Sequence, residues 1–389
     1  MRAINLQLAD IREIISSVLL AHLSYDACMR LAPGGSLSPE FVPTCDAVDD
    51  LEGVGDIIAH MFHAKPPANI GAISLEAWAE SVYQQWLAAG DRMTFFTSGS
   101  TNEPKPATHD FGEHVQEVEN LALLFQDRKR IVCFVPRHHI YGFLFSILLP
   151  RVMGLEVRWV VPLPTPGLAR SLRDGDLMVA FPLLWGKLAE MGVHFHADVH
   201  GVTSTGPCPA KTIEMVKANG LPLMYEIYGS SETGGVGYRT DHLGCYTLLD
   251  HWTRTDDDAV LARKTEGGGA TECLLQDLLD WYGPATFTPR RRKDCAVQVA
   301  GVNVYPARVR EVLLDHPLVE KCAVRLMRSD EGTRLKAFIV PYGSGQDIGV
   351  LKLELQKWSK AHLSRYERPA SWTFGKHIPV NGLGKERDW

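Results

Sequence analysis

The sequence predicts an α/β protein with a large N-terminal domain of helix-covered mixed sheets and a small C-terminal α+β domain. Between residues 130 and 228, short apolar runs alternate with helical patterns, which is typical of a parallel or mixed sheet covered by helices. From residue 293 onward, the order of patterns becomes strand, helix, strand, strand, helix. We therefore expect a large domain over residues 1–292 and a small one over residues 293–389.

Each expected element follows from its own pattern of apolar residues. The helices expected in the large domain cover residues 6–23, 75–89, 142–152, 183–191 and 210–218. Its strands are expected at residues 131–135, 157–161, 177–181, 201–204 and 223–227, with a weaker pair at 259–262 and 271–275. In the small domain, strands are expected at 296–300, 321–327 and 335–340, and helices at 307–314 and 351–361.

Composition excludes several classes of protein. The chain has 389 residues, a formal charge of -6 and no long basic run, so it lacks the electrostatic footprint of a nucleic-acid-binding protein. No apolar run is long enough to span a bilayer. Its eight cysteines are scattered without a CxxC pair, which favours a reducing compartment, and we expect a cytoplasmic protein.

Residues 94–106, which read TFFTSGSTNEPKP, are typical of a phosphate-binding loop. The small side chains of Thr97, Ser98, Gly99, Ser100 and Thr101 allow a tight bend that aims N–H groups and hydroxyls at phosphate oxygens. Lys105 adds a positive charge beside them. The glycine spacing differs from that of the P-loop NTPases, and a polar surface loop is the alternative interpretation.

Five further motifs follow this loop in order: HIYG at 139–142, STGPCP at 204–209, YGSSETGG at 228–235, RRKD at 291–294 and NGLGKE at 381–386. Taken together, they resemble the adenylate-forming family, which includes acyl- and aryl-coenzyme A ligases, peptide-synthetase adenylation domains and luciferases. The resemblance runs from about residue 94 to the C-terminus. The part before the phosphate loop is shorter than is usual in that family.

The resemblance implies a binding site for ATP in the large domain. It assigns nucleotide contacts to the phosphate loop, to the STGPCP and YGSSETGG motifs and to RRKD, namely to Thr97, Ser98, Gly99, Ser100, Thr101, Gly206, Pro207, Tyr228, Gly229, Ser231 and Arg291. Glu232 and Thr101 are the implied magnesium ligands, since a hard cation takes carboxylate and hydroxyl oxygens. A carboxylate at a helix N-terminus is the alternative interpretation of Glu232. For the ribose hydroxyls, Asp277 is the candidate and Asp280 the alternative.

The catalytic residues implied by the resemblance are Lys385, His139 and Lys105. A flexible ammonium such as that of Lys385 can bridge the substrate carboxylate and the α-phosphate as charge develops. His139 would border the acyl carboxylate, with His138 as the more solvent-facing histidine of the pair. Lys293 falls at the hinge of a mobile C-terminal lid domain, and the loop starting at Gly301 would help to form the tunnel for the thiol.

We therefore expect an acid–thiol ligase that uses ATP and Mg²⁺ to activate a small carboxylic acid and then transfers the acyl group to coenzyme A. HIYG and Lys293 resemble the 4-coumarate and benzoate ligase branch, which implies an aromatic acid of the hydroxybenzoate or cinnamate type. The first alternative is a ligase that loads a pantetheinylated acyl carrier protein. The second is a nucleotide-binding pseudoenzyme without catalysis.

Overall fold

The computed structural model describes residues 4–32, 35–45, 47–48, 50–89, 91–96, 105–162, 164–165, 167–265, 268–328, 331–343, 346–379 and 389. The chain divides into two compact units. The first comprises Met1–Thr97, Pro106–Leu275 and Leu279–Pro289. The second consists mainly of Arg290–Trp389, together with the short piece Gln276–Leu278.

The helices of the first unit precede and alternate with its strands. They are α1 (Leu8–Ala21), α2 (Tyr25–Leu31), α3 (Leu51–Phe62), α4 (Leu75–Ala89), α5 (Phe111–Leu124), α6 (Ile140–Phe143), α7 (Leu149–Met153), α8 (Pro182–Glu190) and α9 (Ala210–Ala218). A π-helical turn over Leu144–Leu148 joins α6 to α7 without a break. Pro150 lies two residues after the end of this turn and cannot donate the N–H of a regular helix, which accounts for the irregularity.

The strands of the first unit form a ribbon, a small sheet and a large sheet. The ribbon pairs β1 (Arg92–Phe96) with β2 (Pro106–Asp110). The other strands are β3 (Arg130–Cys133), β4 (Glu156–Trp159), β5 (Asp176–Ala180), β6 (Val199–Thr203), β7 (Leu223–Ser230), β8 (Gly234–Arg239), β9 (Tyr246–Leu248), β10 (Trp252–Arg254), β11 (Val260–Lys264) and β12 (Ala270–Leu274). Two more, β13 (Asp277–Trp281) and β14 (Thr286–Arg292), complete the large sheet.

The large sheet has nine strands in the order β13-β14-β9-β8-β7-β6-β5-β3-β4. From β4 to β7 neighbouring strands are parallel, whereas β8 runs antiparallel to β7. Successive residues of the parallel strands enter two different cores, as Ile131 and Val132 do. Burial on both faces explains why these strands are apolar throughout.

The second unit packs two helices on small sheets around a core of its own. Its elements are β15 (Val297–Val299), β16 (Val302–Val304), α10 (Pro306–Leu314), β17 (Val319–Leu326), β18 (Leu335–Pro341), α11 (Ile348–His362) and β19 (Ser371–Phe374). Ala300 and Gly301, at the turn between β15 and β16, both have positive φ angles, of 52° and 81°. Two consecutive residues of this kind are typical of a tight hairpin turn whose twist matches its strands.

The fold class expected from the sequence is confirmed. Four of the five strands expected in the parallel region were predicted to within about two residues at each end, while β7 extends three residues beyond its predicted end. The elements that the sequence analysis missed include α2, α3, β8, β9, β10, β13, β14, β16 and β19. It also did not anticipate the β1–β2 ribbon. None of the described helices is both long enough and apolar enough to cross a membrane.

Candidate active site

The parallel strands bring three of the predicted motifs to one edge of the large sheet. Strands β3, β6 and β7 run in the same direction, and the HIYG, STGPCP and YGSSETGG motifs lie at their carboxyl ends. The Ser204 hydroxyl donates a 2.9 Å hydrogen bond to the carbonyl of Ile227 and so ties the ends of β6 and β7 together. In open α/β sheets this edge is where ligands bind.

The YGSSETGG motif forms a β-hairpin. Tyr228, Gly229 and Ser230 end β7, Ser231–Thr233 make the turn, and Gly234 starts β8. The helix N-terminus considered as an alternative for Glu232 is therefore wrong. The positive φ of Gly234, 68°, turns the chain back along β7, where a helix would need a negative φ.

Glu232 lies at the tip of this turn with a half-buried side chain. Its carboxylate makes no hydrogen bond or ion pair with any residue that the structure describes. Both carboxylate oxygens are consequently available to a ligand or a cation. The neighbouring Ser231 is also half-buried.

The STGPCP motif begins with a strained backbone. Thr205 has a φ of 76°, which is unfavourable for a β-branched side chain. Gly206 is half-buried and Pro207 is exposed. Cys208 is buried, and burial raises the pKa of its thiol to about 12, so it is no candidate nucleophile. Strain of this kind concentrates at binding sites, where the surrounding structure holds it in place.

Tyr228, near the end of β7, packs in a cluster of aromatic rings. Its ring is half-buried and packs against Phe287 at 5.4 Å and Tyr246 at 5.7 Å between centroids. Arg239 lies over Tyr246 at 4.5 Å and forms a 2.7 Å ion pair with Glu226. Tyr228 is thus held by contacts with β9 and β14 of the same sheet.

The histidine pair has the opposite arrangement from the one expected. His138 is half-buried and its Nδ1 lies 2.9 Å from the Ser17 hydroxyl, whereas His139 is the exposed member. Desolvation by the neighbouring protein atoms lowers the pKa of His139 below its ordinary value, although the residue as a whole remains exposed. Close backbone packing sets the geometry, because a Cβ at Gly142 would lie closer than 3.0 Å to the carbonyl of Pro136.

Helix α1 supports this histidine segment, and the sequence analysis did not detect that role. The Ser17 hydroxyl accepts a 2.9 Å hydrogen bond from the N–H of Arg137. The Arg137 guanidinium is buried, lies 3.3 Å from Glu13 and packs over the Trp159 ring at 5.3 Å. The charged residues Asp10, Arg12 and Glu13 within the apolar pattern of α1 could have indicated that this helix forms ion pairs. Their partners, however, are more than sixty positions away in the chain, so the sequence did not identify them.

The two aspartates considered for the ribose lie on one strand, β13. Asp277 is half-buried and Asp280 is exposed. Because side chains alternate along a strand, residues three positions apart point to opposite faces. At most one of the two can therefore face a given ligand.

In the second unit, Arg292 has a structural partner. It makes two hydrogen bonds of 2.9 Å with Asp294, and the Tyr305 hydroxyl donates to the same carboxylate at 2.9 Å. These bonds, the one from Arg292 first, lower the pKa of Asp294 to about 2. Arg291 and Lys293 are exposed, and the N–H of Lys293 donates to the Gln276 carbonyl at 2.9 Å.

Several predicted residues lie outside the described part of the chain. They are Thr97, Ser98, Gly99, Ser100, Thr101 and Lys385. Lys105 follows the phosphate loop and is exposed. Its ammonium group forms no ion pair with a described residue.

The sequence model for the family described as "AMP-binding enzyme" matches residues 50–260, which is more than half of the chain. The chain belongs to this family. A second model, for the C-terminal domain of AMP-binding enzymes, matches residues 309–385. Both the fold and the adenylate-forming resemblance of the motifs are thereby confirmed.

Relatives of this AMP-binding enzyme include two proteins named 4-coumarate–CoA ligase. The one from Cereibacter sphaeroides is 39% identical over 302 residues, covering 77% of this chain and 71% of the relative. The one from Rhodobacter capsulatus is 36% identical over 325 residues and covers 81% of each chain. These identities place the chain among the acid–CoA ligases of the family.

A solved structure with the same fold is the amide bond synthetase from Marinactinospora thermotolerans. It aligns with a TM-score of 0.62 at 17% identity, covering 97% of this chain and 92% of that one. At this identity the likeness concerns the fold alone. It includes both units of the present chain.

The described residues of this AMP-binding enzyme fit the presence of a magnesium–nucleotide complex. The unengaged carboxylate of Glu232 supplies hard oxygen ligands, and nucleotide phosphates can complete the coordination of Mg²⁺. Because a bound Mg²⁺ ion keeps several of its water ligands, it needs only a few ligands from the protein. The described residues contain no group of three or more potential metal-ligating side chains.

Proposed function

We propose that this enzyme is an ATP-dependent ligase that joins an aromatic carboxylic acid of the hydroxycinnamate type to coenzyme A. The observation that carries the substrate class is the identity of 36–39% with two proteins named 4-coumarate–CoA ligase. The residues at the sheet edge agree with it, because Glu232, Gly206 and Tyr228 line one edge with the properties that a nucleotide site requires. We also propose a cytoplasmic location, on the scattered cysteines alone.

In the first half-reaction, a carboxylate oxygen of the acid attacks the α-phosphorus of ATP. The new P–O bond gives the acyl-adenylate, and the bond to the β-phosphate breaks to release pyrophosphate. Two anions meet in this step, so donors and cations must stabilise the developing charge. Residues 97–101 and Lys105 are proposed to hold the phosphates, and Lys385 to bridge the carboxylate and the α-phosphate. Bound Mg²⁺ would neutralise phosphate charge, with Glu232 and Thr101 as its protein ligands.

The adenosine moiety is assigned to the residues around the ends of β6 and β7. Gly206 and Pro207 would lie against the adenine, since a residue without a side chain permits close approach of the backbone to the base. Tyr228 and Gly229 would border the adenine and the acyl carboxyl group, with Ser231 beside them. One of Asp277 and Asp280 would accept hydrogen bonds from the ribose hydroxyls, and Arg291 would contact the ribose or a phosphate.

In the second half-reaction, the sulfur of coenzyme A attacks the acyl carbon, a thioester forms and AMP leaves. His139 borders the acyl carboxyl group in this proposal. Its lowered pKa keeps the imidazole neutral near pH 7, so it can orient the acyl group by hydrogen bonding without adding charge. Residues 293–389 are proposed to act as a mobile lid that hinges at Lys293 and separates the two half-reactions.

A panel of acids tests the proposed activity. Purified enzyme with ATP and Mg²⁺ receives 4-hydroxycinnamate, cinnamate, 4-hydroxybenzoate, 2-succinylbenzoate or hexanoate, and pyrophosphate release is followed. Each productive acid is then offered coenzyme A or a pantetheinylated acyl carrier protein, and thioester is detected by mass spectrometry. We expect the highest kcat/KM with 4-hydroxycinnamate and coenzyme A. Preference for an aliphatic acid would refute the substrate class, and preference for the carrier protein would refute the acceptor.

A further inference from the structure

Helix α5 carries a buried carboxylate that contacts the Glu232 hairpin. The side chain of Glu117 is only 1% exposed, and its Oε1 accepts a 2.7 Å hydrogen bond from the N–H of Gly235. Gly235 lies three residues after Glu232 and 118 positions after Glu117. The backbone at the start of β8 is therefore fixed by a side chain from a distant helix.

The carboxylate of Glu117 fits directly against the backbone of two consecutive glycines. A Cβ at either Gly234 or Gly235 would lie closer than 3.0 Å to an oxygen of this carboxylate. Contacts that short do not occur between real Cβ atoms and backbone or side-chain oxygens. The space that the two glycines leave is filled by the Glu117 carboxylate, so the side chain from α5 packs directly on the hairpin backbone.

Other donors hold the carbonyl groups of the same turn. They are His109 Nε2 to Ser231 at 2.6 Å, Arg263 Nη1 to Thr233 at 3.4 Å and Trp252 Nε1 to Gly235 at 2.8 Å. Arg263 also donates to the carbonyl of Glu113 and to Gln116, both on α5. The backbone of the turn is thus bonded on both sides of Glu232, while the Glu232 carboxylate is left available.

Holding a carboxylate in this place is unfavourable. Burial raises the pKa of Glu117 to about 7, and its Oε2 has no hydrogen-bond partner among the described residues. An apolar side chain of similar volume would avoid the cost of removing this group from water. Two interactions distinguish glutamate from such a side chain at this position, namely the attraction to the Arg263 guanidinium and the hydrogen bond from the Gly235 N–H.

We propose that Glu117 is a positioning residue that sets the backbone of the Ser231–Gly235 turn and thereby the place of the Glu232 carboxylate. This inference rests on the proposed role of Glu232 as a magnesium ligand. Groups that orient metal ligands from behind usually matter almost as much as the ligands themselves. A change at Glu117 should therefore appear in the magnesium dependence of nucleotide binding, although Glu117 touches neither nucleotide nor metal.

Three substitutions separate this role from a general contribution to folding. Glu117→Gln keeps an oxygen acceptor for the Gly235 N–H, Glu117→Asp withdraws the carboxylate by one methylene, and Glu117→Leu removes the acceptor. We would measure ATP binding by calorimetry with and without Mg²⁺, the melting temperature, and the rate of pyrophosphate release. Glu119→Leu on the same helix is the matched control. Because Glu117→Asp keeps the charge and most of the volume, it carries the test if Glu117→Leu fails to fold.

We expect Glu117→Leu and Glu117→Asp to weaken magnesium-dependent ATP binding and adenylation by roughly 10–100-fold. ATP binding without Mg²⁺ should stay at the wild-type level, and Glu117→Gln should restore binding with Mg²⁺. Equal losses in Glu117→Gln and Glu117→Leu would overturn the proposal, because the hydrogen bond to Gly235, which glutamine keeps and leucine lacks, would then be irrelevant.

A second comparison places Glu117→Asp in a Glu232→Gln background. If Glu117 acts through Glu232, the double variant Glu117→Asp/Glu232→Gln should bind magnesium–ATP no more weakly than Glu232→Gln alone. A full additional loss would overturn the proposal. If Glu232→Gln itself leaves the magnesium dependence intact, the magnesium assignment fails first, and the inference about Glu117 fails with it. If Glu232→Gln loses magnesium-dependent ATP binding while Glu117→Asp binds like wild type, the inference about Glu117 is overturned and the magnesium assignment stands.

Discussion

Replacing Glu117 by glutamine should make the stability of this enzyme less sensitive to pH. In the folded protein burial raises the pKa of Glu117 from an ordinary 4.5 to about 7. A carboxyl group with a higher pKa in the folded state binds protons more tightly there. Its contribution to stability is therefore fully present below about pH 4.5 and is lost as the pH rises to about 7.

The size of the effect follows from the same shift. A rise of about 2.5 pKa units corresponds to about 3 kcal/mol between the protonated and ionised forms. Between pH 5 and pH 8, about 2.5 kcal/mol of this difference should develop. The glutamine side chain is neutral throughout and keeps an acceptor for Gly235. Relative to wild type, Glu117→Gln should thus gain about 2.5 kcal/mol of stability over this interval.

Urea denaturation at pH 5, 6, 7 and 8, followed by tryptophan fluorescence, measures this difference. The quantity of interest is the change with pH in the free energy of unfolding of the variant minus that of wild type, so a constant effect of the amide group cancels. Glu119→Gln on the same helix serves as the control. A difference that is flat with pH would refute the reasoning, as would a variant that loses stability relative to wild type as the pH rises.

Three other substitutions test different parts of the molecule. Asp176→Asn breaks the ion pair with Arg130, whose two hydrogen bonds of 2.7 and 2.8 Å are buried. It should lower the free energy of unfolding, measured by urea denaturation, by about 3–5 kcal/mol, and a loss below about 1 kcal/mol would contradict this. Lys385→Ala should slow adenylation by about 10²-fold or more with little change in ATP affinity, while thioester formation from prepared acyl-adenylate continues; equal loss in both half-reactions would make the lysine structural. Lys293→Pro should impair thioester formation more than adenylation, because proline fixes φ at the proposed hinge. Stopped-flow assays measure each half-reaction separately, and an equal loss in both would exclude the hinge.

The parallel half of the large sheet was predictable because its strands carry their own signal. Residues such as Ile131 and Leu177 belong to short apolar runs bounded by polar turns, and burial on both faces makes those runs nearly continuous. Helix α9 was predicted without error at either end. Local patterns determine such elements, since neither their type nor their length depends on a distant partner.

The histidine pair and the hairpin were harder to predict because distant contacts determine them. The more accessible of His138 and His139 is decided by Ser17, which lies 121 positions away from His138. In the sequence, Glu117 resembles any other polar residue on an amphipathic helix, and its contacts with Gly234 and Gly235 form only in the folded chain. Motif resemblance could suggest which residues meet a ligand, but it contained no information on what holds them in place.

The buried face of α1 bears on where this chain can be cut. The family match begins at residue 50, yet Ile11, Ile14 and Leu19 lie fully buried in the same core as the sheet strand that contains Ile131. Each such side chain stabilises the fold by about 1.5–3 kcal/mol, and whole proteins are stable by only about 5–15 kcal/mol. A fragment that starts at residue 50 should therefore aggregate during expression, because it lacks the buried side chains of α1 and leaves the core they cover exposed. The part of this enzyme that can fold on its own should extend before the first residue of the family match.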